Sequence, residues 1–361
     1  MSYQRSPGIV ILHNVVYCAP LPNSSRRTLV PRFFPIYFVC LLWTTSSVAV
    51  EHDVWHQPST YEIDYIIDLK ELPKDEAVNL WVPLPARNLY QTVLSSRSAS
   101  LQPGWTRKDV TDNRGNDIAQ FYLPENTDRT GSLQFTYIVE RHPSIGTPAE
   151  LSKGYDDPAQ FLSPAKKIPL NGLIGSIAEE QRKKTGAEQN LQRTFYDYVY
   201  DSMTYSKEGD GWGQGDAIWA CQSNYGNCTD FHSLYIGLVR SQRIPARFKI
   251  GFPLSASENS GRHDGYHCWA EVYDAASGWL PLDASEAKKS GNRDEYFGKI
   301  PSDRIEFTQG RDIVLSDLQR GNPINYFVYP YAETPEQIIS RLPVKLLYRR
   351  IMPDDSTLGS E

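Results

Sequence analysis

Three side chains of this 361-residue sequence could together carry covalent chemistry: the thiol of Cys228, the imidazole of His267 and the carboxylate of Asp283. They stand in Gly226-Asn227-Cys228-Thr229-Asp230-Phe231, His267-Cys268-Trp269-Ala270-Glu271-Val272 and Gly278-Trp279-Leu280-Pro281-Leu282-Asp283. The thiolate is the nucleophile, and a free thiol ionises only near pH ~8.5. A helix start favours the thiolate, because its unpaired N–H groups and the positive end of its dipole face the sulfur. A neighbouring imidazolium favours it further and can return its proton to a leaving group. The same N–H groups can hold a developing oxyanion. A carboxylate behind the imidazole fixes its tautomer and stabilises the imidazolium. Each residue has a plainer use, as core thiol, structural histidine or turn cap. The three together, in this order, favour catalysis, with Cys228 as nucleophile, His267 as base and acid, and Asp283 as orienter.

Neighbouring side chains are weighed the same way. Gln222 and Trp219 lie upstream where a donor could fold back towards the oxyanion. His232, one helical turn after Cys228, is assigned to packing or surface. His263 is assigned to a solvated loop, Trp269 and Trp279 to the core, and Arg243 and Arg247 to structure. The glycines of Gly209-Asp210-Gly211-Trp212-Gly213-Gln214-Gly215-Asp216 lack the strand and lysine of a phosphate loop. Asp210 and Asp216 lack the ligand density of a calcium site. Neither a metal nor a cofactor is expected.

The elements that must position these groups can be read in outline. From Asp230, the apolar residues Phe231, Leu234, Tyr235, Leu238 and Val239 recur at helical steps, with Cys228 at or before the first turn. Tyr266–Tyr273 and Trp279–Asp283 read as a hairpin with a four-residue connection, Ala275-Ala276-Ser277-Gly278. That count sets Asp274 against Trp279 and Ala270 against Asp283, which leaves His267 three steps out of register with Asp283. A bulge or a longer loop would bring them together. Upstream, Tyr61–Leu69, Val78–Val82, Ile118–Leu123 and Ser132–Glu140 alternate as strands and suggest a small β-sandwich. Helices are predicted over Leu173–Lys184 and Ala187–Tyr205. Further strands are predicted over Phe248–Phe252, Arg304–Thr308, Asn325–Tyr329 and Val344–Arg350.

Composition sets outer bounds. Hydrophobic residues make up 40% and charged residues 22%, which suits a globular protein. A net charge of -6 argues against a nucleic-acid partner. The first fifty residues hold Arg5, Arg26, Arg27 and Arg32 and no acid. An apolar run from Phe33 to Trp43 and small residues up to Ala49 follow, in the order of a secretory signal. The run is shorter than the ~20 residues a spanning helix needs. Cleavage after Ala49 is expected, with no stable membrane span left behind. A true start near Leu29 or Val30 would give a signal of ordinary length. The chain is therefore expected to be exported, periplasmic or extracellular. It would keep Cys221, Cys228 and Cys268, an odd number that leaves at least one thiol unpaired. A Cys221–Cys268 disulfide would leave the nucleophile free, a Cys221–Cys228 disulfide would mask it, and free thiols are the third possibility.

The quoted motifs, together with Arg243-Ile244-Pro245-Ala246-Arg247, resemble the transglutaminase-like superfamily across roughly residues 215–285. Asp303–Asp312, Asn325–Tyr331 and Leu80–Pro85 are similar to segments of its bacterial members. The resemblance implies a papain-like α+β fold and a Cys–His–Asp triad of Cys228, His267 and Asp283. The expected organisation is a signal at 1–49, a β-sandwich at 50–141, a linker at 142–170, a catalytic domain at 171–350 and a tail at 351–361. The expected reaction is acyl transfer through a thioester at Cys228, hydrolysing a peptide or side-chain amide of a peptide or protein substrate. The alternatives are glutamine-directed cross-linking with an amine as acceptor, or a non-catalytic binding module on the same fold. The sequence leaves the oligomeric state open.

Overall fold

Alternation decides the first sheets. In β1 (Ser59–Asp68), Tyr61, Ile63, Tyr65 and Ile67 are buried while their neighbours are half-exposed. β2 (Val78–Pro83), β3 (Gln91–Ser98), β4 (Thr106–Thr111), β5 (Asp117–Leu123) and β6 (Ser132–Arg141) follow. The computed structural model describes residues 52–146, 157–186, 190–263 and 265–352. The expected signal segment, its cleavage point and residues 353–361 of the expected tail lie outside the described residues, as do the middle of the expected linker and residues 187–189 of the second predicted helix.

Helices then take over: α1 (Gly172–Lys184), α2 (Leu191–Ser202), α3 (Ala217–Ser223) and α4 (Cys228–Ser241), with short strands β7 (Thr204–Tyr205) and β8 (Tyr225–Gly226) between them. After α4 come β9 (Ala246–Pro253), β10 (Ser260–His263), β11 (His267–Asp274) and β12 (Gly278–Leu282). α5 (Ala284–Ser290), β13 (Arg304–Gln309), β14 (Tyr331–Glu333), β15 (Ile338–Ile339) and β16 (Val344–Ile351) close the series.

Two five-stranded sheets, ordered β10-β16-β1-β6-β3 and β15-β14-β2-β5-β4, form the sandwich. Their inner faces meet at contacts such as Phe121 on Phe135, 6.1 Å between ring centroids. A four-stranded antiparallel sheet, β12-β11-β9-β13, carries the C-terminal layer. α4 packs on this sheet and is buried from Cys228 to Arg240, so no face of it meets water. Tyr65 of the sandwich reaches across to Phe252 and Phe307, at 6.0 and 5.4 Å, and joins the two layers into one core.

The sandwich is not confined to the N-terminal third of the chain. β16 was expected with the catalytic unit, but it pairs antiparallel with β1 from Thr60–Ile351 to Ile67–Val344. β14 pairs with β2, and β10 pairs with β16. The C-terminal layer is therefore inserted between strands of the sandwich, and the described residues belong to one compact unit. Asn325–Tyr329 is not a strand; the strand of that region begins at Tyr331.

Candidate active site

The nucleophile's helix is fixed from its first residue. Asn227 is the N-cap of α4, its Oδ1 accepting the Thr229 N–H at 2.9 Å. Asp230 Oδ2 accepts the Asn227 N–H at 2.9 Å, which completes a capping box. The same carboxylate accepts the N–H groups of Gly213 and Gly215 at 2.7 and 2.9 Å, so the glycine loop is tied to the helix start. Gly226, with φ of 155°, runs against this carboxylate. A Cβ there would stand 2.5 Å from Asp230 Oδ2, so the chain can pass only as glycine. Cys228 is the first helical residue, and its N–H has no intrahelical acceptor.

His267 opens β11, and Asp283 follows the end of β12. The connection is one residue shorter than the sequence count assumed. Asp274 faces Gly278, whose φ is 78°, and Ala270 faces Leu282. Asp283 then leaves the ladder to cap α5, with Oδ1 accepting the Glu286 N–H at 2.9 Å and the Ser285 hydroxyl at 2.8 Å. From that cap its Oδ2 meets His267 Nε2 at 2.5 Å. The two residues are off register along the strands, yet their side chains touch without a bulge in the β11–β12 pair. With Nε2 on the carboxylate, Nδ1 is the ring nitrogen left for the thiol, and Cys228 and His267 shift each other's proton affinity in opposite directions.

The electrostatics follow from this contact chain. Burial pushes the Cys228 thiol up, but hydrogen bonds with Cys268 and His267 and the charges of His267 and His232 bring it well below the usual thiol range. For His267, burial lowers the value, while the charge and hydrogen bond of Asp283 and contact with Cys228 raise it to about 9. Burial raises the Asp283 carboxyl, and His267 and His232 outweigh it, holding it well below the ordinary carboxylate range. These directions favour a thiolate, an imidazolium and a carboxylate side by side, with Cys228 2% and His267 5% exposed.

Two further side chains belong to this cluster. His232 is fully buried, with Nε2 3.4 Å from Asp283 Oδ1, a long and poorly aligned contact, and Nδ1 3.5 Å from Cys268 Sγ. The packing-or-surface reading of His232 overlooked a signal: a helix apolar on every side leaves its histidine no solvent, so the ring needs a buried polar partner. Cys268, next to His267 on β11, is fully buried and also acts on the Cys228 thiol.

The remaining sequence candidates are scattered. Gln222 is exposed on α3. Trp219 packs on Tyr225, with its indole against Gly211. Around the helix start stand phenols instead: Asn227 Nδ2 donates to the Tyr266 hydroxyl at 3.1 Å, and Tyr266 and Tyr326 hydroxyls lie 3.3 Å apart. Cys221, Cys228 and Cys268 are free thiols. Arg247 pairs with Glu271 at 2.5 Å and stacks on Trp279, in keeping with a structural role. His263 lies in strand β10 rather than in a loop. His267, Asp283 and Glu286 bring possible ligand atoms within 4.8 Å of one another. The first two already satisfy each other, and Glu286 pairs with Lys289 at 2.9 Å.

Residues 175–284 match the transglutaminase-like superfamily, and the antiparallel sheet with its buried helix is a transglutaminase-like α+β core. A Haemophilus influenzae protein of unassigned activity is 26% identical over 318 residues, covering 76% of this chain and 85% of its own. The solved structure of a protein described as a candidate cysteine protease from Cytophaga hutchinsonii is 17% identical, covers 81% of this chain and 98% of its own, and has a TM-score of 0.49. Red sea bream transglutaminase is 12% identical, covers 64% of this chain and 48% of its own, and has a TM-score of 0.25.

Proposed function

We propose that this chain, whose residues 175–284 form a transglutaminase-like core, is a cysteine-dependent acyl-transfer enzyme that hydrolyses an amide of a peptide or protein. The observation that carries the reading is the His267–Asp283 hydrogen bond at 2.5 Å, together with a buried Cys228 at the helix start whose thiol His267 draws down. The Cys228 thiolate adds to the amide carbonyl carbon, and the Cys228 N–H at the helix start faces the developing oxyanion. The C–N bond breaks, the His267 imidazolium gives its proton to the leaving amine, and a thioester remains. Water then adds to the thioester with His267 as base, releasing the carboxylic acid and the thiolate. Asp283 keeps the imidazole oriented throughout. With an amine in place of water, the same thioester yields a new amide, which is the cross-linking variant.

The order of basic, apolar and small residues before Ala49 supports export of the enzyme. Among the described residues, no helix is long and apolar enough to cross a membrane.

A chloroacetamide probe tests the reading. It should label wild-type Cys228 near neutral pH and fail to label His267→Ala at the same rate. Equal labelling of the two proteins would leave a binding module on an enzyme fold. Supplying a glutamine peptide with a primary amine then separates the acceptors: ammonia without amine incorporation marks hydrolysis, and incorporation marks cross-linking.

A further inference from the structure

Asn227 directly precedes Cys228, and Tyr266 directly precedes His267. The side chains of these two neighbours meet. Asn227 caps α4 through Oδ1, and its other amide atom, Nδ2, donates to the Tyr266 hydroxyl at 3.1 Å. The Tyr266 and Tyr326 hydroxyls lie 3.3 Å apart, and Tyr326 donates to the Gly213 carbonyl at 3.0 Å. The Gly213 N–H donates to Asp230 Oδ2 at 2.7 Å, and that oxygen also accepts the Asn227 N–H. Asn227, Tyr266, Tyr326, Gly213 and Asp230 thus close a ring around the start of the nucleophile's helix.

The ends of the phenol chain fix the direction of every hydrogen bond in it. Nδ2 of an amide only donates, and a carbonyl only accepts. The Tyr266 oxygen therefore accepts from Asn227 and gives its own proton to Tyr326, which gives its proton to Gly213. The far end is anchored. Asn325, next to Tyr326, donates Nδ2 to the Gln214 carbonyl at 2.7 Å. Buried Arg311 donates Nε to Asn325 Oδ1 at 2.9 Å and Nη2 to the Gly215 carbonyl at 2.8 Å. The glycine loop also lies hard against the cap, because a Cβ on Gly213 would stand 3.2 Å from Asn227 Nδ2. Two stretches without a part in the chemistry, the glycine loop and the segment after Arg311, therefore meet at the residue before the nucleophile.

Capping needs only the Oδ1 arm, which a serine would also supply. The second arm of Asn227 ties the helix to the strand of the base. We propose that Tyr266 and Tyr326 are positioning residues: their hydroxyls, strung from Asn227 to the Gly213 carbonyl, set the spacing between the start of α4, which carries the nucleophile, and the start of β11, which carries the base. This rests on the acyl-transfer reading and assigns what holds its two reacting groups at their working distance. The rings themselves pack together, Tyr266 on Tyr326 at 5.5 Å and on Tyr329 at 6.0 Å between centroids, so phenylalanine keeps the packing and removes the link alone.

The test is the pH dependence of iodoacetamide alkylation at Cys228, read by peptide mass, with thermal melting beside it. An imidazolium held less closely stabilises the thiolate less. Tyr266→Phe should therefore raise the midpoint by about 0.7 pH unit, a roughly fivefold slower reaction at a fixed pH below it. The ionisable groups that act on Cys228 are His267, His232, Cys268, Asp230 and the phenols of Tyr205, Tyr266, Tyr326 and Tyr329. Burial raises these phenols, which stay neutral near neutrality, so a moved midpoint reports the placement of the other groups. Asn227→Ser keeps the cap, drops the second arm and should shift the midpoint as far. The double variant should go no further than either single one, because both break one link. Tyr326→Phe should act in the same direction by less. An unmoved midpoint in Tyr266→Phe or, should that variant not fold, in Asn227→Ser would overturn the proposal. Shifts that add in the double variant would overturn it too. A wild-type midpoint at the ordinary thiol value, unmoved in His267→Ala, is a different failure: there the acyl-transfer reading falls, and no reacting pair remains to be placed.

Discussion

Strand β11 carries two buried charge clusters of opposite character. At its start, His267 stands with buried Asp283, Cys228, His232 and Cys268. Four residues on, Glu271 joins a cluster of permanent ions. Arg247 donates to Glu271 at 2.5 Å, and Lys249 lies 3.8 Å from Glu271 and 2.8 Å from Glu306. Asn88 of the sandwich caps Glu306 at 3.1 Å. Burial raises the Glu271 carboxyl, but Arg247 and Lys249 outweigh it and keep it ionised. This second cluster ties the sandwich to the C-terminal layer through carboxylates paired with a guanidinium and an ammonium. The first holds the thiol and imidazole through which the acyl-transfer reading moves protons. The contrast teaches that burial alone does not mark a functional site; what marks it is burial of groups whose protons can move.

Substitutions should separate the two clusters cleanly. The largest effect belongs to the first cluster. Cys228→Ala should lower turnover of an amide substrate at least about 1,000-fold, by analogy with the loss of a nucleophile elsewhere, while its thermal midpoint stays level or rises. Glu271→Ala should do the reverse. Removing one partner of a buried pair costs about 3–5 kcal/mol, seen in urea unfolding. Alkylation of Cys228 in the protein that remains folded should keep the wild-type rate. A loss of reactivity equal to the loss of stability would merge the clusters into one.

The smallest effect is the most specific. His267 has its folded pKa raised to about 9, so its contribution to stability is full below the unfolded value near 6.5 and is lost as pH rises towards 9. Cys228 has its folded value depressed, so its contribution is full above the unfolded thiol value, about 8.5, and is lost as pH falls. Between about pH 6.5 and 8.5 the two slopes oppose each other, and wild-type stability should be nearly flat. Cys228→Ala removes one slope, so its stability should fall by about 1 kcal/mol or more over the same interval. Urea titrations at several pH values measure it, and parallel curves for the two proteins would contradict the thiolate–imidazolium pair.

Much of the fold was legible where one face of an element is wet. β1 and β6 alternate buried and half-exposed residues along their length, and the sequence shows it. β3 and β4 were missed because they are polar and largely exposed, so Gln91–Ser98 and Thr106–Thr111 carry little hydrophobic contrast. The partner of β16 was missed for another reason: local pattern states that a strand exists and says nothing of which distant strand it joins. In the site, Cys228, His267 and Asp283 could be singled out because each ends an element and their types form a known chemical set. Their contact could not be counted, because Asp283 reaches His267 from a helix cap rather than from a ladder position. His232 was hidden inside a helix whose apolar residues drew the attention, although the absence of a polar face was itself the clue.

The pairing of β16 with β1 has a consequence for the order of events during synthesis. A chain leaving a ribosome or a translocation channel from its N-terminal end presents Cys228 well before Val344–Ile351 exists. Until those residues arrive, β1 has one neighbour instead of two, and β10 has no strand to lie on. The sandwich around the C-terminal layer therefore closes last, after the sheet that carries the thiol's helix is already complete in sequence. A nascent or prematurely terminated chain holds the whole catalytic segment inside a sandwich that still lacks its closing strand.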